Sequence, residues 1–206
     1  MTVTTTLESA YFDDMYSAST DPWGFESRWY ERRKYALSLA LLPAERYAAA
    51  LEPGCSIGVF TRQLASRCDS VLACDGAAAA VRAARTRTGD LGHVQVQHRS
   101  LPRDWPDGTF DLIVLSELLY YFSDHDLGEV LDAATSALRP GGTLLAVHWR
   151  HSVPEYPRSG DDVHAVLARR PGLARLTSLR EPDFLAEVYL RGEPPAVSVA
   201  AATGLL

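Results

Sequence analysis

Two glycines in the first half of the chain have the spacing of a ligand-binding turn. Gly54 and Gly58 lie in the segment ALEPGCSIGVF, where an apolar run passes into a predicted helix. Residues without side chains let a ligand approach the backbone, and the first amides of a helix are free to bind it. The same kind of turn also joins strands to helices for structural reasons alone, so both interpretations stay open at this point.

Two familiar nucleotide-binding patterns do not fit this turn. A G-x-G-x-x-G fingerprint aligned on Gly54 needs glycine where Ser56 stands and Gly or Ala where Val59 stands. A Walker A loop needs a Gly-Lys-Ser/Thr run, and none follows. The turn therefore predicts binding of the polar tail of a nucleoside cofactor that has no pyrophosphate.

An acidic residue follows at the distance expected for a nucleoside site. Asp75 comes directly after the apolar run VLAC and lies 21 residues beyond Gly54. At the end of a second strand, its carboxylate can accept hydrogen bonds from both ribose hydroxyls. Aspartate is also a favoured helix N-cap, which is the alternative role for this residue.

The elements that must position these residues repeat one order of strand, Gly or Asp punctuation, and helix. This alternation is typical of βαβ units, with right-handed crossovers and helices on both faces of a parallel sheet. The predicted strands are Ala48–Glu52, Ser70–Cys74, His93–His98, Phe110–Ser116 and Thr143–His148. The predicted helices are Trp23–Leu42, the run AERYAAA, Gly58–Arg67, an Ala/Arg segment through Arg87, and Asp126–Leu138. The chain is thus predicted to form one doubly wound α/β domain.

The two ends of the chain depart from this pattern. Residues 1–22 are polar and end at Asp21-Pro22, which predicts a capping arm before the first helix. After a loop over 150–162, a short helix from Asp162 to Arg169 and two strands, about Ala174–Arg180 and Phe184–Arg191, predict a terminal antiparallel hairpin. We therefore expect an arm with its capping helix (1–44), a core (45–192) and a poorly ordered tail (193–206).

Composition excludes several classes of protein. The chain has 206 residues, enough to bury a core, and a formal net charge of −6, which argues against nucleic-acid binding. The cysteines Cys55, Cys68 and Cys74 lack metal-ligand spacing and predict free thiols in a reducing compartment. No apolar run approaches the ~20 residues of a membrane helix, and the first residues do not resemble a signal peptide. We expect a cytoplasmic monomer or homodimer without a membrane or nucleic-acid partner.

Four segments in order resemble the class I S-adenosylmethionine-dependent methyltransferases. They are Glu52-x-Gly54-Cys55-x-x-Gly58, Asp75, the run FDLIVLSE that ends at Glu117, and LRPGGTLL at 138–145. The resemblance covers about residues 45–150 and implies a Rossmann-like sheet with S-adenosylmethionine as cofactor. Within that superfamily, the Asp21-Pro22-Trp23 segment and the run from Glu117 to Tyr121 resemble the nodulation-factor N-methyltransferase (NodS-like) group, which methylates an amine on a deacetylated sugar.

The resemblance also implies which residues contact the cofactor. Glu52 and the glycines would line its methionine part, Asp75 would bind the ribose, and Ser100-Leu101 would flank the adenine. Many such enzymes end the third strand with Asp, so Ser100 is a departure from the pattern. Trp23 or Tyr30 would form a lid, and Arg33 or Lys34 would meet the carboxylate. The expected cofactor-binding residues are Trp23, Arg33, Glu52, Gly54, Cys55, Gly58, Asp75, Gly76, Ser100, Leu101 and Ser116.

The acceptor side is predicted from the chemistry of methyl transfer. The reaction is an in-line displacement, so the protein must align the acceptor and exclude water, and an amine must also lose a proton. Ligands of open α/β sheets bind beyond the carboxyl ends of the strands. Glu117 and Tyr120 after the fourth strand, and His148 as proton acceptor after the fifth, are the expected catalytic residues. The expected substrate-binding residues are Tyr121, Trp149, Arg150 and Asp161.

Other functions remain as alternatives to N-methylation. O-methylation of a sugar or phenolic hydroxyl would use the same cofactor, and a binding protein could keep the fold without turnover. A nucleic-acid methyltransferase is disfavoured by the charge and by the lack of an Asn/Asp-Pro-Pro-Tyr/Phe motif. A metal site near His148 and His151 is disfavoured because prolines interrupt the following loop and amine methylation needs no Lewis acid.

Overall fold

The computed structural model describes residues 5–206, which form a seven-stranded sheet flanked by helices. The strand order is β3-β2-β1-β4-β5-β7-β6. The strands are β1 Ala50–Pro53, β2 Val71–Asp75, β3 Val94–His98, β4 Phe110–Ser116, β5 Leu138–Trp149, β6 Leu173–Arg180 and β7 Phe184–Arg191. The helices are α1 Ser9–Ala18, α2 Trp29–Leu41, α3 Val59–Leu64, α4 Ala78–Thr88, α5 Asp124–Ala137, α6 Gly160–Leu167 and α7 Val199–Ala202.

The pairing of the strands confirms the predicted fold class. β1 pairs in parallel with β2 and β4, β2 with β3, and β4 with β5. β7 then pairs antiparallel with both β5 and β6, which is the predicted hairpin. This is a doubly wound, mostly parallel Rossmann-like sheet with a C-terminal antiparallel hairpin.

Two apolar layers enclose the sheet because successive side chains of a strand point to opposite faces. In β4, Ile113 and Leu115 pack with residues of α5 and α6. Leu112 and Val114 pack on the other side with Tyr35 of α2 and Phe60 of α3. A central parallel strand buried on both faces needs such a continuous apolar run, which is why β4 was predicted at its observed bounds.

The N-terminal third differs from the prediction. Helix α1 lies in the segment that was expected to be a capping arm. Pro22 does not prevent this helix, because the helix has already ended at Ala18. Helix α2 begins at Trp29 rather than Trp23, since the Asp21 carboxylate accepts hydrogen bonds from the amides of Phe25 and Glu26 and holds a turn before it.

The run AERYAAA, predicted as a helix, is not helical. The amides of Ala48 and Ala49 donate 2.8 Å hydrogen bonds to the two oxygens of Asp111, and Tyr47 forms a bridge with Cys68. These contacts hold the backbone extended as it enters β1.

The short helix and the hairpin predicted for the C-terminal part are both present. α6 begins at Gly160, where Ser159 and Asp162 form a capping box. Residues 193–206 contain α7, which has no buried side chain. The domain boundaries at residues 44 and 192 stay predictions. Between residues 5 and 206, no helix is both long and apolar enough to cross a membrane.

Candidate active site

A cavity of about 560 Å³ opens at the carboxyl ends of the central strands. Gly54, Asp75 and Ser116 line it from the ends of β1, β2 and β4. α1 and α2 cover it, with Tyr16 from the former and Lys34 from the latter among the lining residues. The site therefore lies where open α/β sheets bind ligands.

The turn after β1 brings its backbone close to the cavity. Gly54 has a φ of 73°, a left-handed conformation, and a Cβ at this position would lie only 3.0 Å from the side chain of Leu118. Ser56 also has a positive φ of 50°, and its hydroxyl lies 2.5 Å from the hydroxyl of Tyr16. Ser56 thus ties helix α1 to the turn, a contact that glycine could not make.

Asp75 is held with both carboxylate oxygens at the cavity. One oxygen accepts a 2.8 Å hydrogen bond from the Ser56 amide and the other a 2.9 Å bond from the Ala77 amide. Burial raises its pKa, which these amides oppose. Each oxygen keeps a lone pair for a further donor, so the carboxylate both braces the turn and can receive a pair of hydroxyls.

Glu52 is a buried carboxyl without a full set of partners. It is 3% exposed, lines the cavity, and its Oε2 has no hydrogen-bond partner among the described residues. Burial raises its pKa to about 8. A carboxyl in this state fits a ligand that carries a positive charge, because the ligand would replace the missing interaction.

Three further expected residues line the cavity just beyond the ends of β2 and β3. Gly76, Ser100 and Leu101 all line it, as expected from the sequence. Trp23 packs edge-to-face on Tyr16, with ring centres 5.6 Å apart, and closes this side. The predicted residues Cys55 and Ser116 also line the cavity.

Helix α2 contributes a buried charged cluster at the opposite end. Its buried residues are Glu31, Lys34, Tyr35 and Ser38, which follow helical spacing. Lys34 Nζ lies 2.7 Å from Glu117 Oε1 and 2.9 Å from Glu31 Oε2, and 5.1 Å from the ring centre of Tyr30. Burial disfavours the charge of Lys34, but the Glu117 and Glu31 carboxylates raise its pKa above the usual value.

Glu117 is fixed at the centre of this end. It accepts hydrogen bonds from Lys34, from the hydroxyl of Tyr120 and, at 3.0 Å, from the amide of Trp149. Its φ of 53° is unusual for a residue with a side chain and is sustained by these contacts. Tyr121 and Trp149 line the cavity beside it, as expected.

Several expected site residues lie elsewhere. Arg33 points to the surface, where it forms a bidentate pair with Glu181, so Lys34 is the cation of this helix that faces the cavity. Arg150 and Asp161 are paired with each other at 2.7 Å and do not belong to the cavity lining found in residues 5–206. Their expected role in substrate binding has no support, because each charge is already matched.

Gly58 and His148 are also corrected. Gly58 is not among the described residues that line the cavity. It precedes α3 with a φ of 76°, and a Cβ there would lie 3.0 Å from Ala84. Gly58 therefore serves the packing of α3 on α4. His148 has no exposed surface and contacts Leu119 and His164 instead of the cavity. Its burial and the nearby His164 lower its pKa, and it does not face the cavity, where the proton acceptor was expected.

Sequence reasoning missed several lining residues. Glu31 is one, and its position three residues before Lys34 and four before Tyr35 was the available signal. Phe12 and Tyr16 were missed because their helix was not predicted. Arg28 lines the cavity just before α2, and its side chain makes no hydrogen bond or ion pair with the rest of residues 5–206.

Comparison with known proteins agrees with this geometry. The family model described as nodulation protein S (NodS) matches residues 13–166. The chain belongs to the NodS family. Nodulation protein S of Bradyrhizobium diazoefficiens is 34% identical over 130 residues, which cover 62% of this chain and 62% of that relative. The matched segment is thus less than two thirds of the relative's length.

Solved structures share the fold of this NodS-family chain. A Pseudomonas syringae protein provisionally described as a methyltransferase is 49% identical, with a TM-score of 0.72 over 80% of this chain and 100% of its own. The N-methyltransferase NodS from Bradyrhizobium japonicum WM9, solved with S-adenosylhomocysteine, is 24% identical, with a TM-score of 0.80 over 90% of this chain and 99% of its own. The NodS-like group that the sequence resembled is therefore confirmed, and the solved structures confirm the fold that it implies.

Proposed function

We propose that this chain transfers a methyl group from S-adenosylmethionine to the amine of an amino sugar or a related small molecule. The observation that carries the proposal is a single cavity with two unlike ends. Gly54, Glu52 and Asp75 lie at a nucleoside end, and buried carboxylates with aromatic rings lie at the other. An amine held between carboxylates and aromatic faces would lie within reach of a methyl donor in the same cavity.

Each part of the cofactor has a matching group in the cavity. The two oxygens of Asp75 suit the ribose hydroxyls, and Ser100 and Leu101 lie where the adenine would extend. Glu52 suits the ammonium of the methionine part, since its Oε2 is unpartnered. Arg28 suits the methionine carboxylate in place of the expected Arg33.

Binding of S-adenosylmethionine at pH 7 is expected to release about one proton per cofactor. Glu52 has a pKa of about 8 in the free protein and is therefore mostly protonated at pH 7. A cationic group beside it favours the ionised form, so the proton leaves on binding. Calorimetric titrations in two buffers with different ionisation enthalpies measure this number.

Glu52→Gln is the matched variant for this measurement, because glutamine keeps the size of the side chain and has no proton to lose. The variant should bind with no proton release. Equal release by the variant and the parent protein would place the proton on another group and contradict the role of Glu52.

The acceptor end has polar groups surrounded by aromatic rings. The buried hydroxyl of Tyr30 has no partner within residues 5–206, and Glu31 Oε2 lies 2.9 Å from Lys34 Nζ in an ion pair. Tyr30 packs edge-to-face on Trp149, with ring centres 5.6 Å apart, and Tyr120 stacks on Tyr156 at 5.1 Å. Such rings suit the apolar face of a sugar, the Tyr30 hydroxyl suits one of its hydroxyls, and the Glu31 carboxylate suits its amine.

The carboxylates have different tasks in the transfer. Glu117 already accepts three hydrogen bonds and orients Tyr120. Burial raises the pKa of Glu31, with Lys34 opposing, which favours proton uptake by Glu31 from the acceptor ammonium. The acceptor nitrogen would then be neutral, with the free lone pair that an attack on a methyl donor requires. When bound, the cofactor supplies only the electrophilic methyl group.

The charges of the cavity favour an acceptor without a phosphate. Lys34 is matched by two carboxylates, and Arg99 is paired with Asp104 at 2.6 Å. A phosphate at this end would meet the carboxylates of Glu31, Glu117 and Asp183, while Arg28, the lining cation without an ion pair in residues 5–206, is assigned to the carboxylate of the cofactor. An amine on a neutral carbohydrate meets no such penalty.

A panel of acceptors tests the proposal. We expect the protein to add one or more methyl groups, seen by mass, to an N-deacetylated chitin oligosaccharide. The fully N-acetylated oligosaccharide is the matched control, since it has the same hydroxyls and no free amine. Methylation of the control would indicate O-methylation, and a strong preference for phosphoethanolamine would contradict the assignment of an acceptor without phosphate.

A further inference from the structure

A chain of buried polar side chains lies behind the acceptor end of the cavity. His148 on β5, His164 on α6 and Glu187 on β7 are at most 5% exposed. His148 Nδ1 lies 3.1 Å from His164 Nε2, and His164 Nδ1 lies 2.8 Å from Glu187 Oε2. These three side chains do not belong to the cavity lining of the described chain, and the methyl transfer proposed above does not use them.

The directions of these hydrogen bonds are determined by the group at one end. The backbone N–H of Leu119 can only donate, and it lies 3.2 Å from His148 Nε2, so that nitrogen accepts. A neutral His148 then carries its proton on Nδ1 and donates it to Nε2 of His164. His164 carries its own proton on Nδ1 and donates it to Glu187. A second proton on either imidazole would place two N–H groups face to face.

The outer end of the chain is anchored in the C-terminal hairpin. Glu187 accepts further hydrogen bonds from the hydroxyls of Ser178 and Tyr189, at 2.9 and 2.5 Å, and from Arg175 at 3.0 Å. Burial opposes its charge, but hydrogen bonds led by that of His164 hold the pKa of Glu187 at about 2. The acceptor at the end of the chain is therefore a permanent carboxylate.

The inner end of the chain holds a turn of the proposed active site. Leu119 begins the 3₁₀ turn Leu119–Tyr121, which directly follows Glu117 and Leu118. Within this turn the ring of Tyr120 packs edge-to-face on the ring of His148, with centres 5.4 Å apart, and its hydroxyl donates to Glu117. The left-handed backbone of Glu117 needs restraint from the surrounding residues. His148, at the inner end of the three buried side chains, supplies it by accepting the hydrogen bond of the Leu119 amide.

We propose that the chain of His148, His164 and Glu187 is a positioning device that fixes the Leu119 amide and so holds Tyr120 and Glu117 in place for the acceptor. The catalytic role of the turn rests on the proposed function. The claim that the three side chains hold the turn in place rests on their hydrogen bonds alone. The histidine expected from the sequence to accept a proton is thus assigned to positioning.

The variant His164→Leu tests this assignment, because leucine leaves the Nδ1 proton of His148 without an acceptor. We expect kcat for the deacetylated oligosaccharide to fall about ten-fold, the size of one lost hydrogen bond. The KM for the cofactor and the Kd for S-adenosylhomocysteine should change less than two-fold. Amide hydrogen exchange over residues 117–122 should become faster. His164→Gln should restore most of the rate, since its amide oxygen can accept the same proton.

The controls separate a positioning role from a loss of folding. His125→Leu removes an exposed histidine of α5 and should leave the rate and the exchange unchanged. If His164→Leu does not fold, His164→Met fills the same space with a more adaptable side chain. Unchanged exchange over residues 117–122 in a folded variant would overturn the proposal. Because exchange needs no turnover, this result holds even if no acceptor is methylated and the proposed function fails.

Discussion

Replacement of Asp75 by alanine is expected to weaken the binding of S-adenosylhomocysteine at least 100-fold. On the proposed function, the ribose would lose its two hydrogen bonds to this carboxylate, and hydrogen bonds to charged groups contribute about 1.5–3 kcal/mol each. The loss of roughly 3 kcal/mol corresponds to more than a 100-fold rise in Kd. The variant also frees the amides of Ser56 and Ala77, which loosens the turn that approaches the cofactor.

Calorimetric titration with S-adenosylhomocysteine measures this effect. Asp90→Ala is the matched control, because it removes an exposed aspartate that pairs with Arg62 on the surface and should leave Kd unchanged. The Kd of Asp75→Asn should lie between those of the parent protein and Asp75→Ala, since the amide keeps one acceptor oxygen. A Kd for Asp75→Ala within three-fold of the parent protein would show that the ribose is held elsewhere.

The nucleoside end was predictable because strand ends determine it. Gly54, Asp75 and Ser116 lie where apolar runs stop, and parallel strands bring their carboxyl ends to one edge of the sheet. The backbone alone therefore places these residues in the cavity. The same reasoning predicted the five parallel strands and the terminal hairpin, since each follows from hydrophobic runs and turn residues.

The rest of the site depends on the rotation of side chains about their elements, which the apolar pattern did not reveal. In α2 the buried face contains Glu31, Lys34 and Ser38, so polar residues occupy positions where apolar ones are expected. This hid Glu31 and left Arg33 and Lys34 equally plausible. Along β5, side chains alternate between the faces of the sheet, so His148 is buried while its neighbour Trp149 lines the cavity.

Replacement of Lys34 by methionine is expected to destabilise the fold by about 3–5 kcal/mol at pH 8, because it removes one partner of a buried ion cluster. Lys34 is 2% exposed and lies between the carboxylates of Glu31 and Glu117. Methionine fills a similar volume but leaves two negative charges in a poorly solvated site. Urea-induced unfolding followed by circular dichroism measures the change in the free energy of unfolding.

The pH dependence of this loss has a definite sign. Burial raises the pKa of Glu31 even with Lys34 present, and removal of the lysine raises it further. A carboxyl whose pKa is higher in the folded than in the unfolded state favours folding below the unfolded value, and that contribution is lost as pH rises through the folded value. The deficit of Lys34→Met should therefore be largest at pH 8 and smaller at pH 5.

Two further variants separate charge from packing. Lys34→Met combined with Glu31→Gln should recover part of the lost stability, because only one buried carboxylate then remains. Arg33→Met changes the neighbouring cation of the same helix, whose pair with Glu181 is exposed to solvent, and should have little effect. Two results together would contradict this account: an equal loss of stability in Lys34→Met at pH 5 and pH 8, and no recovery in the double variant. Lys34 would then stabilise the helix through packing and not by balancing the two carboxylates of the acceptor end.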